Sequence, residues 1–435
     1  MFKRGKYFIF FIVMFLAACS GSRKTTTPRN LRMIYHPGST SLHPEVKVYN
    51  SSDINSLLLV KIFTRELLYN LANKENELLS KVSVYYSLYH FNEDKEKELV
   101  DSATTTFKFQ KNPEIHYHLL KIDVPAKAGK EYMLEVITTD LNRHNNQYSF
   151  LKIDRKKKPA IQDFLVYNKQ NNKLVTEPFI NESIPFKINH YQRDFDSLYV
   201  YYFPPAENVS PPPDVKDTIL SYYSGYDTTW VCYLDSIDYY NFLPKGMYYF
   251  SSEPEPQDGF ALFNFGKDFP AIRTPDELLA PLAYLHTIDS VAVTDTTGKY
   301  TKLYVDNFWL KRANNMERSR ELIKLFYNRV FFANVYFTSY VEGWRTGRGM
   351  IYIIYGLPDH IYKSGEEERW IYHHDAMGPG ITFYFTYQQN PYSLNHFILN
   401  REKIKYSDWE TFIELWNSGE IFYNAGEVYG TPYKN

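Results

Sequence analysis

The chain has 435 residues, 44% of them hydrophobic, material for about two to four domains of ordinary size. Its 49 Lys and Arg nearly cancel 50 Asp and Glu, so no overall field draws it to nucleic acid or to an acidic surface. The 40 Tyr and 31 Phe suit half-buried strands and contact surfaces alike, and the plainer reading, a β-rich chain, is preferred.

At the start, Lys3, Arg4 and Lys6 precede an unbroken apolar stretch, Tyr7 to Leu16, that is too short to span a bilayer. Leu16-Ala17-Ala18-Cys19 resembles the bacterial lipobox. The resemblance implies a signal peptide over residues 1–18, a diacylglycerol thioether on Cys19 and acylation of the new amino terminus, with palmitate a typical chain; two or more acyl chains anchor stably where one does not. A short buried helix ending in a core cysteine fits neither the charges nor the small residues. Residues 19–30 continue as SGSRKTTTPRN after the cysteine, with no large apolar side chain, and read as a flexible tether. Some Gram-negative lipoproteins bound for the cell surface carry an acidic cluster at this point; Arg23, Lys24 and Arg29 stand here instead, which favours the periplasmic side of the outer membrane and leaves the cell surface as the alternative. With Cys19 acylated, Cys232 has no intramolecular disulfide partner.

Residues 31–155 form the first expected domain, strand-like from Pro44 to Ile153, with strands at Leu57 to Thr64, Val82 to Phe91, Thr104 to Phe109, His116 to Val124, Glu131 to Thr139 and Gln147 to Ile153. Val82, Val84, Tyr86 and Leu88 form an alternate apolar set, and turn signals at Asn92-Glu93-Asp94 and Ala128-Gly129-Lys130 complete the expectation of an immunoglobulin-like β-sandwich. Arg155-Lys156-Lys157-Lys158-Pro159 reads as an exposed linker. Residues 159–268 then offer strands at Phe164 to Tyr167, Pro185 to Asn189, Ser197 to Phe203, Thr229 to Tyr233 and Gly246 to Ser251, a second sandwich interrupted by an exposed proline-rich connector around Pro204-Pro205 and Pro211-Pro212-Pro213.

Residues 270–435 read as an α+β domain. Thr274-Pro275-Asp276-Glu277 is a helix start, with capping threonine, early proline and glutamate three residues after the cap. Leu322, Phe326, Val330, Ala333, Phe337 and Val341 recur on one face of a long helix. Strands are expected at Met350 to Tyr355, Arg369 to Tyr372, Thr382 to Tyr387 and His396 to Leu399, and Ser407-Asp408-Trp409-Glu410 reads as a capping box opening a last helix that stops near Gly419.

Gly343-Trp344-Arg345-Thr346-Gly347-Arg348-Gly349, followed by Met350 to Tyr355 and then Gly356-Leu357-Pro358-Asp359, resembles the GWxTD domain of bacterial secreted proteins and lipoproteins. Asn307-Phe308-Trp309 and Glu368-Arg369-Trp370-Ile371-Tyr372 agree with the family's earlier and later elements, so the likeness covers about residues 270 to 425. The family's aspartate is Gly347 here, which removes whatever charge it supplies. The resemblance brings a domain label and no activity. Read physically, Gly343 and Gly349 bracket a loop, Tyr355-Gly356-Leu357-Pro358 makes a turn, Trp344 closes a core, and Thr346 and Arg348 bind backbone or a carboxylate. Trp370 is assigned to the same structural set. This reading is preferred to a peptide- or ligand-binding loop.

No catalytic residue, metal ligand or cofactor is assigned. His373-His374-Asp375 with Asp359-His360 is the densest group of metal-ligand types, but adjacent histidines on a strand point to opposite faces. Cys232 reads as a small buried hydrophobe, and no glycine-rich phosphate loop has the required spacing. Two functions remain in view. In the preferred one the chain is a non-catalytic scaffold or binding subunit, held to the outer membrane by lipid, with other envelope proteins as partners and a place in an assembly or secretion complex. In the alternative the C-terminal domain is a periplasmic hydrolase or carbohydrate-processing enzyme on β-sandwich spacers; Asp359, His360, His373 and Asp375 converging on one point would favour it.

Overall fold

The computed structural model describes residues 29–36, 42–72, 77–91, 97–156, 160–180, 186–191, 195–215, 225–233, 244–254, 259–285, 299–313, 315–364, 366–373 and 380–420. Over these the chain is mostly antiparallel β-sheet, with its helices gathered in the C-terminal part. The expected signal peptide, Cys19 and the expected tether as far as residue 28 lie outside the described residues. No described helix is long and apolar enough to cross a membrane.

The first region holds β1 (Glu45–Asn50), β2 (Ser56–Phe63), β3 (Asn70–Ala72), β4 (Glu77–Phe91), β5 (Lys97–Gln110), β6 (Tyr117–Val124), β7 (Glu131–Asp140) and β8 (Asn145–Asp154). One sheet runs β1-β2-β6; the other runs β3-β4-β7-β8, with β5 paired to β4. The alternation read in β4 puts Val82, Val84, Tyr86 and Leu88 into an apolar core with Leu58, Val60 and Ile62 of β2 and Leu120, Ile122 and Val124 of β6. Burying each such aliphatic side chain contributes roughly 1.5–3 kcal/mol. Arg155 belongs to this region and not to an exposed linker: it is 3% exposed, and its guanidinium donates to the Ser52 carbonyl. A long cation at the end of β8 folds back because loop carbonyls there need a donor. Residues 157–159 of the expected linker lie outside the described residues.

The second region pairs β9 (Phe164–Asn168) with β10 (Phe186–His190) and builds a sheet in the order β12-β11-β13-β14 from β11 (Ser197–Phe203), β12 (Thr228–Tyr233), β13 (Gly246–Ser251) and β14 (Gly259–Asn264). One face packs Leu198, Val200, Cys232, Tyr248 and Phe250 against Phe164 and Phe186. The other packs Tyr201, Met247, Tyr249 and Phe263 against Tyr340 and Val341 of the C-terminal part. Every residue of β13 and β14 is therefore buried, and such strands read as apolar runs without alternation.

The proline-rich connector is not free. Lacking a ladder, its carbonyls are taken by arginines: Arg345 donates to Glu207, Arg401 to Pro211 and Pro212, and the Ser210 backbone N–H reaches the Arg345 carbonyl at 2.9 Å. Ser210 and Pro213 are buried against the C-terminal part.

That part contains α1 (Pro275–Leu279), α2 (Lys299–Arg312), α3 (Met316–Phe337), α4 (Gly347–Tyr355) and α5 (Trp409–Ser418), with a sheet β15-β16-β17-β18 from His360–Lys363, Glu367–Tyr372, Ile381–Tyr387 and Phe397–Leu399. The capping box at Thr274 and Glu277 is present. Met350 to Tyr355, expected as a strand, is instead the body of α4. All six side chains are buried, so the run carries neither helical nor strand periodicity, and the Thr346 cap with its tertiary packing decides for helix. At α5 the N-cap position is Asp408, whose side chain makes no capping bond to the backbone, while the Ser407 hydroxyl donates to Asp214 at 2.7 Å and accepts the Trp409 N–H at 3.4 Å. Gly419 closes this helix in the left-handed conformation. Residues 29–36 also belong here: this N-terminal strap lays Leu31 beside β15, its N–H donating to the Ile361 carbonyl at 2.8 Å.

Candidate functional site

The segment between α3 and α4 is built from contacts in which the glycines are obligatory. A Cβ on Gly343 would lie 2.0 Å from the Ala333 carbonyl oxygen of α3, and one on Gly349 would lie 2.0 Å from the Gly343 oxygen. Three backbone segments are thus stacked in contact, and a glycine at each inner position is what permits it. Polar side chains fix the stack. Asn334 accepts from the Trp344 N–H at 3.1 Å, and the Thr338 hydroxyl accepts from Gly343 at 3.1 Å. Thr346 donates to the Gly343 carbonyl at 2.7 Å and caps α4 by accepting from the Gly349 N–H at 3.0 Å. Trp344 is 6% exposed, its ring lying edge-on to Tyr284 and under the Arg345 guanidinium.

Arg348 enters the core from the first turn of α4. Its Nη1 meets Glu368 Oε1 of β16 at 3.0 Å, and its Nη2 donates to the Asn395 carbonyl and side-chain oxygen at 3.0 and 2.7 Å. Glu368 is fully buried and gathers donors from three other directions: Lys363 Nζ at 2.6 Å, Trp370 Nε1 at 3.3 Å, and the Tyr35 hydroxyl of the N-terminal strap, at 3.1 and 3.0 Å from its two oxygens. Burial works to raise the Glu368 pKa, but Lys363 and then Arg348 outweigh it and hold the carboxyl down to about 2. Burial lowers Lys363 and raises Tyr35 well above the usual phenol range. His396, close by, is lowered to about 4 by burial and by Arg348, and stays neutral. The result is a largely buried cluster of two cations on one carboxylate, with Lys363 at its partly exposed margin and the Phe397 ring 4.5 Å from the Arg348 guanidinium as its roof.

Residues 246–418 match the GWxTD domain family. No curated protein matches the chain. The match takes in β13 and β14, whose far face packs on Tyr340 and Val341 immediately before Gly343. Within this GWxTD domain, Gly347 stands where the family carries aspartate; a Cβ there would sit 3.0 Å from the Leu399 Cβ, with the Ser210 hydroxyl 3.6 Å away. The connector from the second region covers the position.

The other motif residues fall on the same core. Tyr355 is buried and gives its hydroxyl to the Ser407 carbonyl at 2.7 Å, Gly356 ends α4 with a φ of 80°, and Trp370 lies between Tyr35, Phe337 and Phe385. Pro358 is buried; Asp359 accepts the His373 backbone N–H at 2.7 Å. His360 stands perpendicular to the His373 ring, and its Nδ1 lies 2.9 Å from the Asn30 amide. His374 and Asp375 lie outside the described residues, and among those described no three His, Cys, Asp or Glu side chains gather as a metal set.

Tyr35, Asn30, Lys363, Asn395 and Arg329 were not singled out in the sequence. Arg329 of α3 is wholly buried and donates to the Ile353 and Ile354 carbonyls at the C-terminal end of α4, where a cation is favoured. The one available signal was Arg348 at the head of an apolar run: a cation forced into a core requires a carboxylate from elsewhere.

Proposed function

We propose that the chain is a membrane-anchored lipoprotein acting as a non-catalytic scaffold or binding subunit, held by lipid on Cys19 to the periplasmic face of the outer membrane and joined there to other envelope proteins of an assembly or secretion complex. In this reading its β-rich regions are two immunoglobulin-like sandwiches that, together with the GWxTD domain, hold partners near the membrane. The observation that carries it is the engagement of the motif: Arg348 is shared between Glu368 and Asn395, and Thr346 between Gly343 and Gly349, so these side chains are occupied in holding the domain together. The strap supports the anchorage, because from Asn30 back to Cys19 the chain reaches at most about 40 Å, keeping the GWxTD domain near the surface that holds the lipid.

The test is affinity purification of the full chain from detergent-solubilised membranes. A stoichiometric set of envelope proteins is expected, and Cys19→Ala should leave the protein folded but release it from carbonate-washed membranes. A chain that purifies alone, or a Cys19→Ala variant that still sediments with membranes, overturns the reading.

A further inference from the structure

The first region leaves two strand edges open on the same side. Among the described residues β5 bonds only to β4, and β6 only to β2. The loop from Lys111 to His116 carries the chain from one free edge to the other. The β5 edge is regular from Asp101 to Gln110; the register shifts opposite Leu88 and Tyr89, leaving Val100 as the bulged residue that ends it. Natural edges are blunted by prolines, by charged side chains such as lysine, by bulges, by cover or by short length. This one is long and has no proline, its bulge at Val100 lies outside the regular stretch, and from Ser102 to Phe107 it carries no charge. Its outward side chains Ser102, Thr104, Thr106 and Lys108 are exposed.

A shallow cleft of ≈ 520 Å³ opens where this edge meets the loop. Phe109 and His118 form its floor, their rings stacked at 3.9 Å, and Ile115 adds an exposed apolar side chain. Lys108 and Lys111 line it, no acidic side chain does, and neither lysine has an ion-pair partner among the described residues. The Nε2 atom of His118 is buried without a hydrogen-bond partner there. An unpaired row of backbone N–H and C=O groups, a flat aromatic floor and two uncompensated ammonium groups are complementary to one kind of occupant.

We propose that the β5 edge from Asp101 to Gln110 is a docking site for an extended acidic segment of a partner protein, which adds to the sheet as a further strand and sets a carboxylate by Lys108 and Lys111. Strand addition gives affinity through main-chain hydrogen bonds, and the lysines select sign. The proposal rests on the binding-subunit reading and assigns it a surface outside the GWxTD domain.

The experiment uses the full lipidated chain in detergent and a short fluorescent peptide alternating Glu with Val. Saturable binding is expected, weakened about ten-fold or more when Lys replaces Glu in the peptide or when Lys108→Glu and Lys111→Glu are combined in the protein. Methylating alternate peptide amides should abolish binding, and bound peptide should slow amide exchange within Asp101–Gln110. Both lysines being on the surface, circular dichroism should be unchanged in the double variant. No saturable binding, equal binding of acidic and basic peptides, or protection confined to another segment overturns the proposal. If the same envelope proteins co-purify with wild type and with the double variant, the scaffold reading stands and the β5 site fails. Peptide binding by a chain that purifies without partners leaves the β5 site standing and sinks the scaffold reading.

Discussion

The first β region and the GWxTD domain solve the same problem with different materials. The core between β4, β2 and β6 is aliphatic, with Tyr86 at its margin giving its hydroxyl to Asp101. The GWxTD core admits Arg329, Arg348 and Glu368 and surrounds them with tryptophan, tyrosine and phenylalanine. An aliphatic core is held by the area it removes from water and tolerates exchange among side chains of similar size. A core with buried charges holds only while each charge keeps its partners, so it is less forgiving and more specific to one arrangement.

The largest expected effect comes from removing the carboxylate on which that arrangement turns. Glu368→Ala should destabilise the domain by roughly 3–5 kcal/mol, since Arg348 and Lys363 would then lose their shared counter-charge in a largely buried site. Chemical denaturation of this variant that matched wild type would show the cluster to be solvated, and the contrast would collapse.

Next come two deletions that compare the regions directly. Trp344→Ala should cost about 3–5 kcal/mol and Leu58→Ala about 2–5 kcal/mol, but only Leu58 should accept Ile or Met with a loss below about 1.5 kcal/mol. A Trp344→Phe protein as stable as wild type would mean that the ring fills space without shape specificity. Unchanged stability of Trp344→Ala with loss of a partner would move the residue from scaffold to binding site.

Acid should then separate the regions. Glu368 ionises at about 2 in the folded protein against 4.5 ordinarily, so its stabilisation is fully present above 4.5 and is lost as the pH falls from 4.5 towards 2. The loss amounts to about 3 kcal/mol. Tryptophan fluorescence should report the GWxTD domain loosening over that window, and Glu368→Gln should flatten the response. An equal acid slope in wild type and variant would place the sensitivity elsewhere.

The smallest effect is at the joint between the regions, and has the opposite sign. His43 Nδ1 lies 3.2 Å from Glu66 and Nε2 lies 2.9 Å from the His36 carbonyl, so both ring nitrogens face acceptors and the cation fits best. Burial opposes the charge, but the bond to Glu66, its charge and the His36 carbonyl prevail over burial and Arg65, and the pKa rises above 6.5. The contribution is present below 6.5 and fades as the pH rises through the folded value; roughly 1.5–3 kcal/mol is expected from a hydrogen bond to a charged group, before the cost of burial is set against it. Thermal melts of wild type and His43→Gln should converge on the alkaline side, and divergence there would be the failing result.

The contrast also explains what the sequence could reveal. Val82 to Leu88 could be read because one face meets the core and the other water, so period and burial coincide. β1, β3, β14 and β15 are not among the strands expected from the sequence: β3 is too brief to show a period, and β14 is buried on both faces. Met350 to Tyr355 was read as a strand because a six-residue apolar run looks alike in a buried helix and a buried strand. In the candidate site, the spacing of Gly343 and Gly349 was legible because close approach of backbones needs glycine wherever it occurs. The Tyr35 to Glu368 bond was not, since its partners are 333 residues apart and neither carries a local pattern.

That strap gives the molecule a particular load path. Tension applied at Arg29 meets first the Asn30 contacts with Asp359, His360 and Ile361, then the Leu31 bond to β15, then Tyr35 seated on Glu368. A pull from the amino terminus is therefore delivered first to the GWxTD domain, while Arg29 over the Tyr148 ring, the Gln147 amide on the Met33 carbonyl and His43 on the His36 carbonyl pass part of it to the first β region. Synthesis imposes the reverse order: the strap emerges first, and its seat is complete only after residue 395 has joined Arg348. The earliest part of the body to leave the ribosome is among the last to be locked in place.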